Sequence, residues 1–380
     1  MIFLEEKSFS KTKWLPDLYI LGAVIPILGA GLITMKAFVG DGIFFNRQLV
    51  WILVAFVAFF ISSQIDFRVL KRTYVIVGLY GVSMFALIAL FVFGSISNGA
   101  KSWINVGLFS IQPSDPAKLI LILLLAKYFS RRHIEIANVR HIIVSGIYTL
   151  IPFMLVALHP DLGSAITIFF IWFGMVLFSG ISKKHLALVF IIGSLVFFGA
   201  WQLVFKDYQK KRIINFITPS ADIRGSGYNA RQAMITVGSG ELFGQGIGYG
   251  TQSRLQFLPE YQTDFIFAAF AEEWGFVGVI ILLGLFGLII ARILYIASKG
   301  EANFEILFGI GLAIFFMSHL IINIGMNIGL MPVTGIPVPF MSYGGSHLVT
   351  EFVGLGLLMS MRKYSRATHK DRINNEFLGY

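Results

Sequence analysis

Residues 258–291 read LPEYQTDFIFAAFAEEWGFVGVIILLGLFGLIIA. Pro259 and the polar residues around it mark a turn. From Phe265 onward the chain is apolar, interrupted only by the adjacent acids Glu272 and Glu273. A helix needs about 20 apolar residues to cross a bilayer core. The stretch therefore reads as a membrane span that opens directly behind a carboxylate, Asp264. A charge at the lip of a span is costly unless protein or water receives it.

The rest of the chain repeats the apolar theme. Hydrophobic residues make up 56% of the 380 positions and charged residues only 13%, and the mean hydropathy is +0.78. A soluble domain has no interior large enough for that much apolar surface, so the chain reads as an all-α polytopic membrane protein. With no cysteine, disulfides and thiolate metal sites are excluded. Residues 1–17 are polar and basic, without the apolar core and cleavage site of a removable signal peptide. The formal net charge of +10 is the signature expected of basic cytoplasmic loops, and no nucleic-acid partner is expected.

Nine further apolar runs join 265–291: 18–35, 49–65, 74–94, 117–129, 142–158, 164–180, 186–205, 306–330 and 348–361. Together they predict ten transmembrane helices in a single domain over 1–380. Lysine and arginine set the orientation. With the N-terminus (1–17) inside, 19 of the 30 basic residues fall on the inner side, among them Arg68, Lys71, Arg131 and Arg292. Both termini, including the tail 362–380, are then cytoplasmic. A large extracytoplasmic loop, 206–263, separates spans 7 and 8. It carries seven basic residues, Arg212 and Arg254 among them, against the trend. Long loops tolerate such charge, and an anionic partner such as a lipid-linked phosphate would also account for it. The glycines of GSGELFGQGIGYG (238–250) lack the strand and Lys-Ser/Thr context of a phosphate cradle. They read as tight turns in an ordered surface or re-entrant loop.

Four polar features fall on the predicted outer side. In SIQPSDPAKL (110–119), Ser114 suits an N-cap and Asp115 and Pro116 a first helical turn. Asp115 and Lys118, three apart, share a helix face. They are either cap and snorkelling lysine or an ion pair lining a cavity. In HPDLGS (159–164), Asp161 can cap the following helix. In the opening stretch, Thr263 or Asp264 can cap, with Glu260 close by and Glu272 and Glu273 two turns deeper. At least one of those two acids is expected to face protein or water. The fourth feature, PVTGIPVPFMSYGGS (332–346), has backbone tolerated at membrane depth only when buried in protein or lining a wet cavity. Convergence of all four on one side suggests a polar cavity open to the outer face.

These segments carry a resemblance. NGAKSWI (98–104), IQPSDPAKL (111–119), PDLGSA (160–165), LPEYQTDFIFA with EEWG (258–275), and INIGM with PVTGIPVPFMSYGGS (322–346) resemble, in order, the motifs of the SEDS family of RodA, FtsW and SpoVE. PVTGIPVPF and the short tails are most similar to the RodA, elongation-type members. The resemblance implies a peptidoglycan glycosyltransferase that polymerises lipid II into glycan strands at the outer face of the bacterial cytoplasmic membrane, during cell elongation and shape maintenance. It implies a class B penicillin-binding protein as transpeptidase partner within the elongation machinery. It also assigns the essential carboxylate to Asp264 and a cavity acid and lysine to Asp115 and Lys118, beside Gln112 and Ser114. Asp161 and the basic position Lys101 are carried over in the same way. The chain departs from the pattern where Asp115 replaces a glutamate, Ser102 a frequent arginine, His159 a glutamine and Tyr261 a histidine.

The implied chemistry joins a sugar hydroxyl to an anomeric carbon, with a lipid diphosphate leaving. Diphosphate leaves readily, so one general base suffices, in contrast to the two carboxylates of glycoside hydrolysis. Positive charge must meet the diphosphate, and Lys118, Lys101 and Arg212 are candidates. A divalent cation, Mg2+ or Mn2+, could share that task. The rival readings are a transporter flipping lipid-linked precursor, which needs polar groups along its whole path, and a scaffold, which leaves the acid–lysine cluster unexplained.

Overall fold

The computed structural model describes residues 17–37, 43–97, 100–106, 109–131, 139–203, 210, 214, 216 and 226–377. Lipid offers no hydrogen bonds to a bare backbone, so apolar runs close their amide groups internally as helices. They form α1 (Leu18–Ala37), α2 (Ile43–Gln64), the short α3 (Phe67–Leu70), α4 (Thr73–Phe93), α5 (Ser114–Ser130), α6 (Val139–Leu158), α7 (Leu162–Phe178) and α8 (Lys183–Leu203). After these come α9 (Ser226–Ser239), α10 (Thr251–Arg254), α11 (Ile266–Ser298), α12 (Asn303–Asn327) and α13 (Gly345–Phe377). Each predicted run overlaps a helix over most of its described length. Among the described residues six of them, α1, α2, α4, α6, α11 and α12, are long and apolar enough to cross a membrane, and α7 is a shorter apolar helix.

The helices are not equivalent. In α12, 72% of the apolar window is buried inside the protein, against 17% in α2. Helix α12 is the central post, packed by α5, α7, α9, α11 and α13, while α13 lies along α2. The outer helices present large apolar side chains outward, such as Leu53, Phe85 and Ile143. A soluble protein would aggregate through such faces; a bilayer covers them.

The all-α expectation needs one amendment. Strands β1 (Ser95–Ser97), β2 (Ala100–Val106) and β3 (Phe109–Ile111) form an antiparallel sheet in that order. Its pairs include Ser95 with Trp103 and Ile104 with Ile111.

Helix α11 breaks at Gly275, whose φ of 66° and ψ of −170° suit glycine alone. The glycine-rich stretch fills the break. Gln245 N and Gly246 N donate to the freed carbonyls of Glu272 and Glu273, and Phe276 N and Val277 N donate to Glu241 O and Leu242 O. The orphaned amide groups of a broken helix are thereby satisfied. Both buried side chains add to the clamp. Glu272 accepts from Gln252 N (2.8 Å), Ser253 N (3.2 Å) and Ser253 Oγ (2.7 Å), and Glu273 from Gly248 N (2.8 Å) and Thr34 Oγ1 (3.0 Å). The expectation that at least one of these acids faces protein is met by both.

The capping expectations divide. Asp161 does cap α7, accepting from Ser164 N at 3.0 Å. Ser114 does not cap: Pro113 already adopts helical angles, so Ser114 lies inside the first turn. Thr263 and Asp264 do not cap either, because the turn from Glu260 carries the chain one residue further and Phe265 is the N-cap, with no side-chain bond.

Candidate active site

Asp264 sits on a tightly held turn. Thr263 N and Phe265 N both donate back to Glu260 O, and Glu260 itself has a φ of 50°. Three successive carbonyls are then caught from outside. Tyr343 N donates to Gln262 O at 2.9 Å and Ser342 Oγ to Thr263 O at 2.8 Å. Asn323 Nδ2 donates to Asp264 O at 2.9 Å, and Asn327 Nδ2 does so at 3.3 Å. The backbone is therefore fixed from both sides while the Asp264 side chain stays half-buried. It stands two residues ahead of α11, where the positive end of the helix dipole favours a carboxylate.

Segment 332–344 is the hub. A Cβ on Gly335 would lie 3.3 Å from Asp264 Oδ2, and Ile336 packs over Gly163, two residues beyond Asp161. Asn323 Nδ2 also donates to Ile336 O at 2.7 Å. Phe340, at the strained φ of 60°, donates its N–H to Glu351 Oε2 at 2.9 Å. Ser346 Oγ reaches Gln112 O at 3.2 Å.

The remaining predicted residues divide into three groups. Asp115 and Lys118 form a buried ion pair, Oδ1 to Nζ 3.2 Å, with side chains 3% and 1% exposed. Both are thus closed from solvent. Beside them, Gln112 Nε2 donates to Asp161 Oδ2 at 3.0 Å, and the hydroxyls of Ser114 and Ser164 lie 3.5 Å apart. Glu260 is exposed and accepts from Thr263 Oγ1 at 3.2 Å. Lys101 is placed only by its backbone, in β2, and Arg212 lies outside the described residues.

The structure adds residues that the sequence reading passed over. His347 Nδ1 lies 3.5 Å from Asp115 Oδ1, and its Nε2 lies 2.8 Å from Glu351 Oε1. His319 stacks on His347, with ring centroids 4.5 Å apart and planes at 21°. Glu351 and His319 lie within predicted spans, and an ionisable group there marks a site by default. That signal was available for Glu272 and Glu273 and applies equally to these two. Among the described residues, no group of three or more His, Asp or Glu side chains is arranged to hold a metal ion.

The N-terminal ends of α5, α7, α11 and α13 and the C-terminal end of α12 thus meet around one folded segment. That arrangement defines a multi-pass helical membrane protein with its polar machinery gathered at one end of the bundle. The chain belongs to the FtsW/RodA/SpoVE cell cycle protein family, whose model matches residues 13–367. It is 36% identical over 292 residues to the peptidoglycan glycosyltransferase MrdB of Escherichia coli K12, covering 77% of this chain and 79% of that protein. A solved chain from a study of how a peptidoglycan synthase complex coordinates polymerization and crosslinking superposes with a TM-score of 0.80 at 31% identity, covering 92% of this chain and 98% of that one. The rod shape determining protein RodA of Thermus thermophilus does so with a TM-score of 0.69 at 30% identity, covering 92% and 98%.

Proposed function

We infer that this protein is a peptidoglycan glycosyltransferase of the RodA type, which polymerises lipid II into glycan strands. The observation that carries the reading is the anchored TDF turn. Its backbone is held by Asn323, Asn327, Ser342 and Tyr343, and it offers one half-buried carboxylate. Such anchoring is what positional catalysis requires. Asp264 takes the proton from the acceptor sugar hydroxyl. The hydroxyl oxygen then bonds to the anomeric carbon of the second chain, the anomeric C–O bond breaks, and the lipid diphosphate leaves with the electron pair. General-base help of this kind is worth roughly 10²–10⁴-fold.

Ten spans, both termini inside and the 206–263 loop outside form the finer topology we propose, supported by the inner-side excess of lysine and arginine. It puts Asp264 at the outer face of the bacterial cytoplasmic membrane. Lys101, Arg212 and the other bases of 206–263 supply charge to the diphosphate, and buried Lys118 adds its field from behind. A Mg2+ or Mn2+ ion, if bound there, would add to that charge. A class B penicillin-binding protein is the proposed transpeptidase partner.

The flippase reading has less to stand on. At the opposite end of the bundle Asp17 pairs with Arg292 and Arg362, and Lys71 with Glu305. They hold helices together rather than line a path. Purified protein, with and without a class B partner, given labelled lipid II, should yield a glycan ladder on a gel. The ladder should vanish in Asp264→Asn. A full ladder from that variant at normal expression would overturn the assignment.

A further inference from the structure

Four ionisable side chains are sealed together between α5 and α13. Asp115, Lys118, His347 and Glu351 are all buried. The imidazole of His347 stands between two carboxylates, with Nδ1 3.5 Å from Asp115 Oδ1 and Nε2 2.8 Å from Glu351 Oε1. A neutral imidazole has one N–H and one lone pair. Whichever nitrogen held the lone pair would set it against a carboxylate oxygen. Only the doubly protonated ring turns an N–H and positive charge toward both acids; neither nitrogen is aligned for a hydrogen bond, so the contact is one of charge. The buried charges then balance: two carboxylates against the Lys118 ammonium and one imidazolium.

The balance matters because little else compensates it. Asp115 Oδ2 is buried with no hydrogen-bond partner, so Oδ1 alone faces both cations. The remaining ionisable neighbour, His319 of α12, meets His347 face to face and closes that side with a ring. Glu351 also receives the N–H of Phe340, so the group is tied to the segment that packs on Asp264 through Gly335. A chain of contacts therefore runs from Lys118 through Asp115, His347, Glu351 and Phe340 to the turn carrying the candidate base.

We propose that His347 is a positioning residue that acts through its charge. As an imidazolium it neutralises Asp115 and Glu351 together, and so holds α5, α13 and the 332–344 segment in the arrangement that presents Asp264. The inference rests on the glycan-polymerase reading for its activity readout. A packing role and a charge role predict opposite results for a second substitution.

His347→Gln leaves two buried carboxylates with one ammonium, and an uncompensated buried charge is strongly destabilising. Polymerisation of labelled lipid II by the full-length protein should fall about 100-fold or more, and the melting temperature should drop. Glu351→Gln removes the surplus negative charge, and its amide oxygen still accepts from Phe340 N–H. The double variant His347→Gln/Glu351→Gln should therefore recover at least tenfold over His347→Gln and melt at a higher temperature. If His347→Gln cannot be purified folded while the double variant can, that rescue supports the charge role equally. A double variant no better than His347→Gln, in activity and in melting temperature, overturns the proposal, as does a fully active His347→Gln. The wild-type protein, run alongside, separates the two readings. With no ladder from wild type the polymerase reading fails, and the melting temperatures alone then decide the role of His347.

Discussion

Asp264 and the pair Glu272–Glu273 stand within ten residues of one another, yet they are treated in opposite ways. Each of the two glutamates is buried and every oxygen is occupied: three donors on Glu272, two on Glu273. Asp264 is held by its backbone carbonyl, while its carboxylate remains half-buried. Carboxylates saturated by backbone N–H groups are fixtures. A carboxylate whose backbone is immobilised and whose residue is only half-buried is placed to act on something that arrives. The glutamates instead pin the glycine-rich loop into the break of α11, inside the helix that the aspartate precedes.

The contrast can be tested from its strong end. Asp264→Asn keeps size and shape and removes basicity, so lipid II polymerisation should fall by about 10²–10⁴-fold with little change in melting temperature. Gly275→Ala attacks the fixture instead. It places a Cβ at a φ of 66°, against the backbone of residues 242–244. The strain alone is about 1–3 kcal/mol and the collision adds to it, so the yield of folded protein in detergent should drop sharply. Glu272→Gln is milder: its amide oxygen can keep the two Ser253 donors, but its NH2 group then meets the Gln252 N–H donor to donor, at a cost of about 1–3 kcal/mol. It should lower the melting temperature and leave the activity of the folded fraction near wild type. A Glu272→Gln protein that melts normally but cannot polymerise lipid II would dissolve the distinction, since Glu272 would then belong with Asp264.

How much of this was legible beforehand follows from what each signal depends on. The helices were legible because span length is a property of consecutive residues. The Asp115–Lys118 pair was legible because three residues along a helix is one face. The Asp161 cap was legible for the same local reason. The 95–111 sheet was passed over, although the Asn98–Gly99 pair between apolar residues is a hairpin signal. The clamp at Gly275 was not readable at all. It joins residues 241–246 to 272–277 by backbone bonds, and residues 248–253 to the two glutamate carboxylates, pairings that no local sequence pattern encodes. His347 and Asp115 are likewise 232 positions apart, and only the packing of α13 beside α5 brings them together. Long-range polar pairing was the missing half, and most of the site lies in it.

A carboxylate at the other end of the bundle offers the gentlest test of what a saturated acid looks like. Asp17, just ahead of α1, lies against Arg292 and Arg362 and accepts from the N–H groups of Tyr19 and Ile20. Burial pushes its pKa upward, but the Arg292 hydrogen bond, the Ile20 N–H and the Arg362 charge outweigh it, and the net shift is downward from 3.8. In the folded protein Asp17 therefore holds its negative charge to lower pH than in the unfolded chain. Its contribution to stability is complete above the unfolded value near 3.8 and is lost as the pH falls through the lower folded value. Melting temperature, followed in detergent from pH 6 down to about pH 3, should show a shallow acid loss that Asp17→Asn flattens while leaving glycan polymerisation at pH 7 in place. If Asp17→Asn abolished polymerisation at unchanged stability, saturation by donors would no longer distinguish a fixture from a working acid, and the case for Asp264 would rest on its basicity alone.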